Sequence, residues 1–241
     1  MKNSAKAPKP YSHYELLEAC ALIGCPVCRV GAQTVQRYLK SSFYEYVNDL
    51  DMRAKLVKSL GFCGEHVQLL LNAKIADTLG ASIIYEHLVK VVLREFPKDS
   101  AASKQKELSK RIGKFVSVSE GLGKCLACNQ RDETINYTVR QMSTALNDAR
   151  LQEALEKSDG LCMKHLSQLL ELVQKPEEAD FLLNLTRTKL EARQHEMSEV
   201  IRKNDHHAHP EGITQDEGIA WRKSMSMLAS VSISLTGDKY G

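Results

Sequence analysis

Apolar residues recur every three or four positions through most of the chain, the spacing that places them on one face of an α-helix. Residues 26–48 show the pattern clearly, with Val35, Leu39 and Phe43 on one side. The same spacing predicts further helices over residues 14–23, 51–60, 63–74, 78–96, 104–119, 126–147, 149–157, 162–174, 177–203 and 216–235. Convincing period-two alternation is absent from the sequence, so the predicted fold class is all-α.

Repeated cysteine motifs divide these helices into two related sets. Cys25-Pro-Val-Cys28 and Gly61-Phe-Cys-Gly-Glu-His66 return as Cys125-Leu-Ala-Cys128 and Gly160-Leu-Cys-Met-Lys-His165. Positions 25 and 125 differ by 100, and positions 63 and 162 differ by 99. An internal repeat of this kind predicts one structural unit used twice. We therefore expect a helical bundle of two pseudo-repeated halves.

The domain organisation follows from the repeat. We predict a disordered N-terminus over residues 1–12 and a first helical repeat with a metal site over residues 13–96. A second helical repeat with a metal site is predicted over residues 104–175. The remaining residues, 176–241, are predicted to form C-terminal helices that pack on the repeats.

The repeated residues are of the types that bind a metal in a Cys3His set. Two ligands three positions apart share one face of a helix, and thiolates are favoured at helix N-termini, where these motifs are predicted to lie. The predicted ligands are Cys25, Cys28, Cys63, His66, Cys125, Cys128, Cys162 and His165. Pairing within each half is the simpler choice. The alternative is that Cys25 and Cys28 meet Cys162 and His165.

Zinc is the preferred metal, with two ions per chain, because Cys3His is a common structural zinc set. An iron–sulfur cluster is the alternative, although such clusters most often use four cysteines. Cys20 lies outside the repeated pattern on an apolar helix face, so we interpret it as a small buried hydrophobic residue.

A histidine-rich segment offers a possible additional metal site. Its candidate ligands are Asp205, His206, His207, His209 and Glu211. A metal held there could keep an open coordination position, as a catalytic site requires. We favour a solvated polar loop, because closely spaced ligands on a loop are not preorganised.

Charge and hydropathy restrict the partners that we expect. The chain has 33 basic and 30 acidic residues in 241, a formal net charge of +3, which argues against nucleic acid as a partner. No apolar run approaches the ~20 residues of a membrane-spanning helix, and the first ten residues do not read as a signal peptide. Seven cysteines in a chain of this type indicate metal or thiol chemistry in the cytoplasm.

The motifs resemble those of an uncharacterised bacterial family, a domain of unknown function with no assigned activity. Its members carry Cys-Pro-x-Cys near the N-terminus, then Gly-Phe-Cys-x-x-His, a second such pair, a Lys-x-Asp-Tyr-Arg-like stretch and a final helix with Trp-Arg. Residues 203–207 and Trp221-Arg222 correspond to the last two, although His206 and His207 stand where Tyr-Arg is expected. The resemblance covers the chain from about residue 14. It implies a helical fold and metal-type cysteines, and no reaction.

The function expected from these observations is non-enzymatic. Two metal sites would hold helix ends together, and the helical surface would bind a protein or small-molecule partner. A thiol-based redox or metal sensor, with zinc or an iron–sulfur cluster, is one alternative. A metalloenzyme that uses residues 206–211 is the other. The sequence does not indicate an oligomeric state.

Overall fold

The computed structural model describes residues 13–73, 75–97, 105–119, 125–204 and 212–232. Over these residues the chain forms eleven α-helices and no β-strand, which confirms the all-α fold class. The helices are α1 (His13–Cys20), α2 (Pro26–Tyr44), α3 (Leu50–Ser59), α4 (Gly64–Ala73), α5 (Thr78–Glu95), α6 (Gln105–Ser119), α7 (Leu126–Ala145), α8 (Ala149–Lys157), α9 (Met163–Leu170), α10 (Pro176–Lys203) and α11 (Gln215–Ala229). The predicted disordered N-terminus, residues 1–12, lies outside the described residues.

Polar side chains begin several of these helices by accepting hydrogen bonds from backbone N–H groups that have no partner within the helix. Asp49 accepts from the N–H of Met52 at 2.7 Å at the start of α3. Asp77 accepts from Gly80 at 2.9 Å at the start of α5. Thr214 forms a reciprocal capping box with Glu217 at the start of α11. Such caps typically stabilise a helix by about 1 kcal/mol each.

Several helices end earlier than the periodicity predicts, and the ends of α9 and α11 have clear local causes. Helix α9 ends at Leu170 rather than Gln174, and Lys175 is extended because it precedes Pro176, whose ring disfavours helical geometry in the preceding residue. Helix α11 ends at Ala229 rather than near residue 235. Ser230 there adopts the left-handed conformation, with φ of 59°, which stops the helix.

The described residues form two compact units. Unit 1 is built from Thr34–Glu133, and unit 2 from the residues up to Gln33 together with those from residue 134 onward. The division falls within α2 and α7, so each of these long helices contributes residues to both units. Each unit has its own hydrophobic core.

The core of unit 1 is assembled around the later turns of α2. Val35, Leu39 and Phe43 are buried there, and the rings of Phe43 and Phe62 lie 5.8 Å apart between centroids. The other buried apolar residues of this core are Val47, Met52, Leu56, Leu70, Ile84, Leu88, Cys125, Ala127 and Cys128.

The core of unit 2 is assembled around the later turns of α7. Ile135, Val139 and Met142 are buried against residues of α1, α8, α9 and α10. The remaining buried apolar residues are Leu16, Cys20, Cys25, Val27, Cys28, Leu146, Leu151, Leu155, Leu161, Cys162, Leu166, Leu169, Leu182 and Leu185. Among the helices that the structure describes, none is long and apolar enough to cross a membrane.

The close approach of α5 to the end of α2 in unit 1 predicts a glycine requirement at Gly80. A Cβ added at Gly80 would overlap the carbonyl oxygen of Phe43, which is backbone and cannot rotate away. Gly80→Ala should therefore lower the free energy of unfolding by about 2–3 kcal/mol. Urea unfolding followed by circular dichroism measures the change.

Gly113→Ala is the matched control, because a Cβ at that helical glycine meets nothing within 4 Å. It should stabilise the protein by up to about 1 kcal/mol, since alanine loses less backbone entropy in a helix. Equal stability of the two variants would contradict the close approach.

Candidate metal centres

The structure brings the eight repeated cysteine and histidine residues together in two groups of four. Cys25, Cys28, Cys162 and His165 form the group in unit 2, and Cys63, His66, Cys125 and Cys128 form the group in unit 1. Within each group the potential ligand atoms all lie within 4.8 Å of one another. Two Cys3His groups suited to hold metal ions are therefore present.

The expectation that each group forms within one half of the sequence is wrong. Each Cys-x2-Cys pair instead meets the Cys-x2-His pair of the other repeat. The reason is the length of α2, whose 19 residues span about 28 Å. Phe43, near the end of α2, packs on Phe62, the neighbour of Cys63. Cys25 lies at the start of α2, so it cannot share an ion with Cys63.

In unit 2 the His165 ring turns its Nδ1 atom toward all three sulfurs. The distances from Nδ1 are 3.1 Å to Sγ of Cys162, 3.4 Å to Cys28 and 3.5 Å to Cys25. The Sγ atoms of Cys28 and Cys162 are 3.8 Å apart. All four residues are buried.

Unit 1 repeats this geometry closely. Nδ1 of His66 lies 3.1 Å from Sγ of Cys63 and 3.5 Å from the Sγ atoms of Cys125 and Cys128. The Sγ atoms of Cys63 and Cys128 are 3.7 Å apart. Cys63 is partly exposed, whereas the other three residues are buried.

These separations are those of a tetrahedron around one cation. With zinc bonds of about 2.3 Å to sulfur and about 2.0–2.1 Å to nitrogen, tetrahedral angles place two sulfurs about 3.8 Å apart and a sulfur and a nitrogen about 3.5 Å apart. A disulfide would need sulfurs at about 2.05 Å. All seven cysteines are free thiols.

The ligands occupy the same places on four different helices. Cys25, Cys63, Cys125 and Cys162 each lie immediately before a helix, and the second ligand of each pair follows three positions later in the first turn. Each group therefore receives two helix N-termini, whose free N–H groups and positive dipole ends favour thiolates. In unit 1, for example, the N–H of Cys63 points at Sγ of Cys125, 3.4 Å away.

A repeated Ser-x-Gly turn delivers the chain to each Cys-x2-His pair. Gly61 and Gly160 have φ values of 100° and 84°, in the region that favours glycine over other residues. The Ser59 hydroxyl donates to the carbonyl of Gly61, and the Ser158 hydroxyl accepts from the N–H of Gly160. Both serines are buried, so these hydrogen bonds stabilise the turns from the protein interior.

The three cysteines of the unit 2 group differ in the direction of their pKa shifts. Burial and a hydrogen bond to Cys162 raise the pKa of Cys25 to about 12. Hydrogen bonds to Cys162 and Cys25, together with burial, raise the pKa of Cys28. Hydrogen bonds from Cys25 and Cys28 lower the pKa of Cys162. Hydrogen bonding among the three sulfurs thus favours the thiolate form of Cys162 and the thiol forms of Cys25 and Cys28.

In the unit 1 group, too, one cysteine has a lowered pKa and two have raised pKa values. Burial raises the pKa of Cys125, but hydrogen bonds from His66 and from the N–H of Cys63 outweigh it and bring the pKa down to about 6. Burial raises the pKa of Cys63, and burial with the charge of Cys125 raises that of Cys128. Three thiolates this close together repel one another, and a cation at their centre would remove that cost.

Asp159 fastens the unit 2 group to the C-terminal helices. Its carboxylate accepts from the N–H of Gly24 at 2.8 Å, directly before Cys25. It also pairs with Arg193 of α10 and with Lys223 of α11, the latter at 3.1 Å. Sequence reasoning missed Asp159. The available signal was that the first repeat has Leu60 in the matching position of its Ser-x-Gly turn.

The remaining candidate residues do not join these groups. Cys20 is buried in the unit 2 core with 4% of its surface exposed, and burial raises its pKa to about 12. This environment is that of the small buried hydrophobic residue expected from the sequence. The possible additional ligands Asp205, His206, His207, His209 and Glu211 lie outside the described residues.

Comparisons with known proteins identify the family. A family model described as a family of unknown function (DUF6062) matches residues 18–232, and the chain belongs to this family. The chain is also similar to an "Uncharacterized 23.9 kDa protein in xynA 3'region" of Caldicellulosiruptor sp. (strain Rt8B.4). The two are 23% identical over 205 residues, which cover 85% of this chain and 94% of the relative. No solved structure matches the chain.

The position of Asp159 predicts a specific loss of stability. Asp159→Asn removes a charge that pairs with both Arg193 and Lys223, whose side chains are only 10% and 12% exposed, and leaves Arg193 with Glu196 as its remaining partner at 3.0 Å. Breaking a buried ion pair of this kind should cost about 3 kcal/mol in the free energy of unfolding. Chemical denaturation followed by circular dichroism measures the loss.

Asp216→Asn provides the control, because Asp216 approaches the same Lys223 at 3.7 Å but is 74% exposed. It should cost no more than about 0.5 kcal/mol, since solvent screens exposed pairs. Similar losses in the two variants would contradict the role given to Asp159.

Proposed function

We propose that this DUF6062 member is a zinc protein, with one structural ion in each Cys3His group and no catalytic role for either. The observation that carries the proposal is the agreement between the separations in both groups and the edges of a tetrahedral zinc site. Sulfurs at 3.7 and 3.8 Å, and sulfur–nitrogen distances of 3.1–3.5 Å, suit a single small cation.

The same spacing favours a single ion over an iron–sulfur cluster. A cluster contains two or four iron atoms, each with its own protein ligands, so its cysteine sulfurs are spread around a larger body. Here all four ligand atoms surround one point. Tetrahedral sites with thiolate and imidazole ligands are those in which zinc is most often found.

Each group supplies four ligands, which completes a tetrahedron and leaves no open position for a substrate. This closed arrangement is typical of structural zinc, whereas catalytic zinc keeps one position for water. Structural zinc contributes about 10–16 kcal/mol of binding free energy to folding in small zinc domains. Each ion would hold together two helix N-termini that repel one another when no anion lies between them.

The partner that we propose is a protein or small molecule bound by the helical surface, in the reducing cytoplasm where thiolates persist. A row of exposed residues on α11 supports a protein partner. Gly218, Trp221, Met225 and Leu228 follow one another at alternating steps of four and three residues, and all four are exposed. Tryptophan and methionine are enriched at protein interfaces.

The pairing of ligands can be tested by counting metal ions in double variants. Cys25→Ser with Cys162→Ser removes two ligands from one group, so the chain should retain one zinc ion of two. Cys25→Ser with Cys63→Ser disrupts both groups and should leave none. Elemental analysis of protein purified without added metal gives the count for each variant.

Cys20→Ala is the control and should retain both ions. If the ligands paired within each half, Cys25 and Cys63 would share an ion. The expected counts would then be exchanged, with one ion retained in the Cys25/Cys63 double variant and none in the Cys25/Cys162 double variant. Wild-type protein that contains no zinc would contradict the proposal itself.

Zinc uptake should release protons at neutral pH. In each group two cysteines have raised pKa values, Cys25 and Cys28 in unit 2 and Cys63 and Cys128 in unit 1. These thiols must lose their protons to become ligands, so about two protons should leave per ion bound. Zinc affinity should accordingly rise with pH, by up to about a hundredfold per pH unit near neutrality.

Isothermal titration calorimetry in buffers of different ionisation enthalpy counts the released protons. Uptake without proton release would mean that the metal-free groups already hold three thiolates.

A further inference from the structure

The two Cys3His groups have the same ligands but differ in exposure. In unit 2 the position at the start of the Cys-x2-His helix is Cys162, which has 0% of its surface exposed. Its counterpart in unit 1 is Cys63, which is partly exposed. Cys63 is thus the one cysteine of the eight-residue ligand set that is partly exposed, whereas Cys28 and Cys128 are buried with 7% and 8% of their surface exposed.

The C-terminal helices account for the protection of unit 2. Ser230, directly after α11, accepts a hydrogen bond from the N–H of Lys164 at 3.4 Å and also hydrogen-bonds Cys162. Asp159 ties the preceding turn to Arg193 and Lys223. Helices α10 and α11 therefore cover the turn that carries Cys162.

The matching turn in unit 1 lacks that ionic tie, because Leu60 occupies the position of Asp159. Leu60 instead lines an open apolar groove of about 330 Å³ with residues of α5 that include Val89, Leu93 and Phe96. The turn that leads to Cys63 borders this groove, which is open to solvent. Glu65 of α4 forms an ion pair with Arg131 of α7 at 3.2 Å, with 69% of the Glu65 side chain exposed.

We propose that the unit 1 group is a site of thiol oxidation by hydroperoxides, with Cys63 as the residue attacked first and Cys128 as the resolving thiol. The inference rests on the proposed function, since it concerns a zinc ion held by this group. It follows from two observations, the exposure of Cys63 and the 3.7 Å separation of its sulfur from that of Cys128.

The chemistry balances with hydrogen peroxide as the oxidant. The Cys63 thiolate attacks one peroxide oxygen, so a sulfur–oxygen bond forms, the oxygen–oxygen bond breaks and hydroxide leaves. The Cys128 thiolate then attacks the resulting sulfenic sulfur, forming a disulfide and expelling a second hydroxide. Two electrons pass from the two sulfurs to one peroxide.

Loss of the ion follows from the disulfide. Two of the four ligands can no longer donate a thiolate, and His66 and Cys125 alone hold zinc weakly. The ion that joined the N-terminus of α4 to that of α7 leaves, while the ion in unit 2 stays bound. Oxidation therefore removes the ion that links two helices in unit 1 and leaves the metal group of unit 2 intact.

The experiment treats the zinc-loaded full-length chain with hydrogen peroxide and follows released zinc with a chromogenic chelator. One ion of two should be released rapidly, and peptide mapping at that point should find a Cys63–Cys128 disulfide with Cys25, Cys28 and Cys162 still reduced. Release of both ions together, release from unit 2 first, or no release at all would each overturn the inference.

Matched histidine variants test the role of Cys63 without removing a ligand. Cys63→His leaves a Cys2His2 set, another common structural zinc set, and should slow peroxide-driven release at least about tenfold. Cys162→His makes the same change in unit 2 and should leave the fast release unchanged. Equal rates in the two variants would refute the assignment of Cys63.

The metal content of untreated protein separates this inference from the proposal on which it rests. If the protein contains no zinc before oxidation, the proposed function is wrong. If the protein contains two zinc ions but releases the unit 2 ion first, or releases neither, only the inference about Cys63 is wrong. The wild-type kinetics and disulfide map decide the question even if a histidine variant does not fold.

Discussion

The meeting of two helix N-termini at a cluster of three thiols and an imidazole is the constraint on which each unit depends. Helix N-termini carry unpaired N–H groups and a partial positive charge. Two of them therefore repel one another unless negative charge lies between them. The lowered pKa values of Cys125 and Cys162 favour a thiolate at one position in each group. A cation bound in each group would allow the remaining cysteines to ionise and would link the four helix N-termini in pairs.

Much of this arrangement could be predicted from the sequence. The residue types, their spacing of three and their repetition after 99 or 100 positions pointed to the eight residues that the structure brings together in two groups, and apolar periodicity identified the helices. Helix ends were predicted less well, because the left-handed Ser230 has no strong sequence signal. The pairing of the ligands could not be predicted, since either pairing satisfies the same motif. Only the length of α2 and the contact between Phe43 and Phe62 decide it.

The repeats also show how identical ligand sets acquire different surroundings. A single position, Leu60 in one copy and Asp159 in the other, determines whether the turn before the ligands can form ion pairs. In unit 2 that aspartate joins Gly24, Arg193 and Lys223, so the ligand turns and the C-terminal helices stabilise one another. The corresponding turn in unit 1 is bordered by apolar side chains and an open groove.

The division of α2 and α7 between the units has a consequence for the order in which the protein can be completed on the ribosome. The described part of unit 1 comes from the continuous stretch Thr34–Glu133, so all four of its candidate ligands are translated before residue 134. Cys25 and Cys28 precede these residues in the chain, yet the residues that they meet, Cys162 and His165, follow them. The thiols of Cys25 and Cys28 are thus translated before unit 1 but can meet their partners only after unit 1 has been translated.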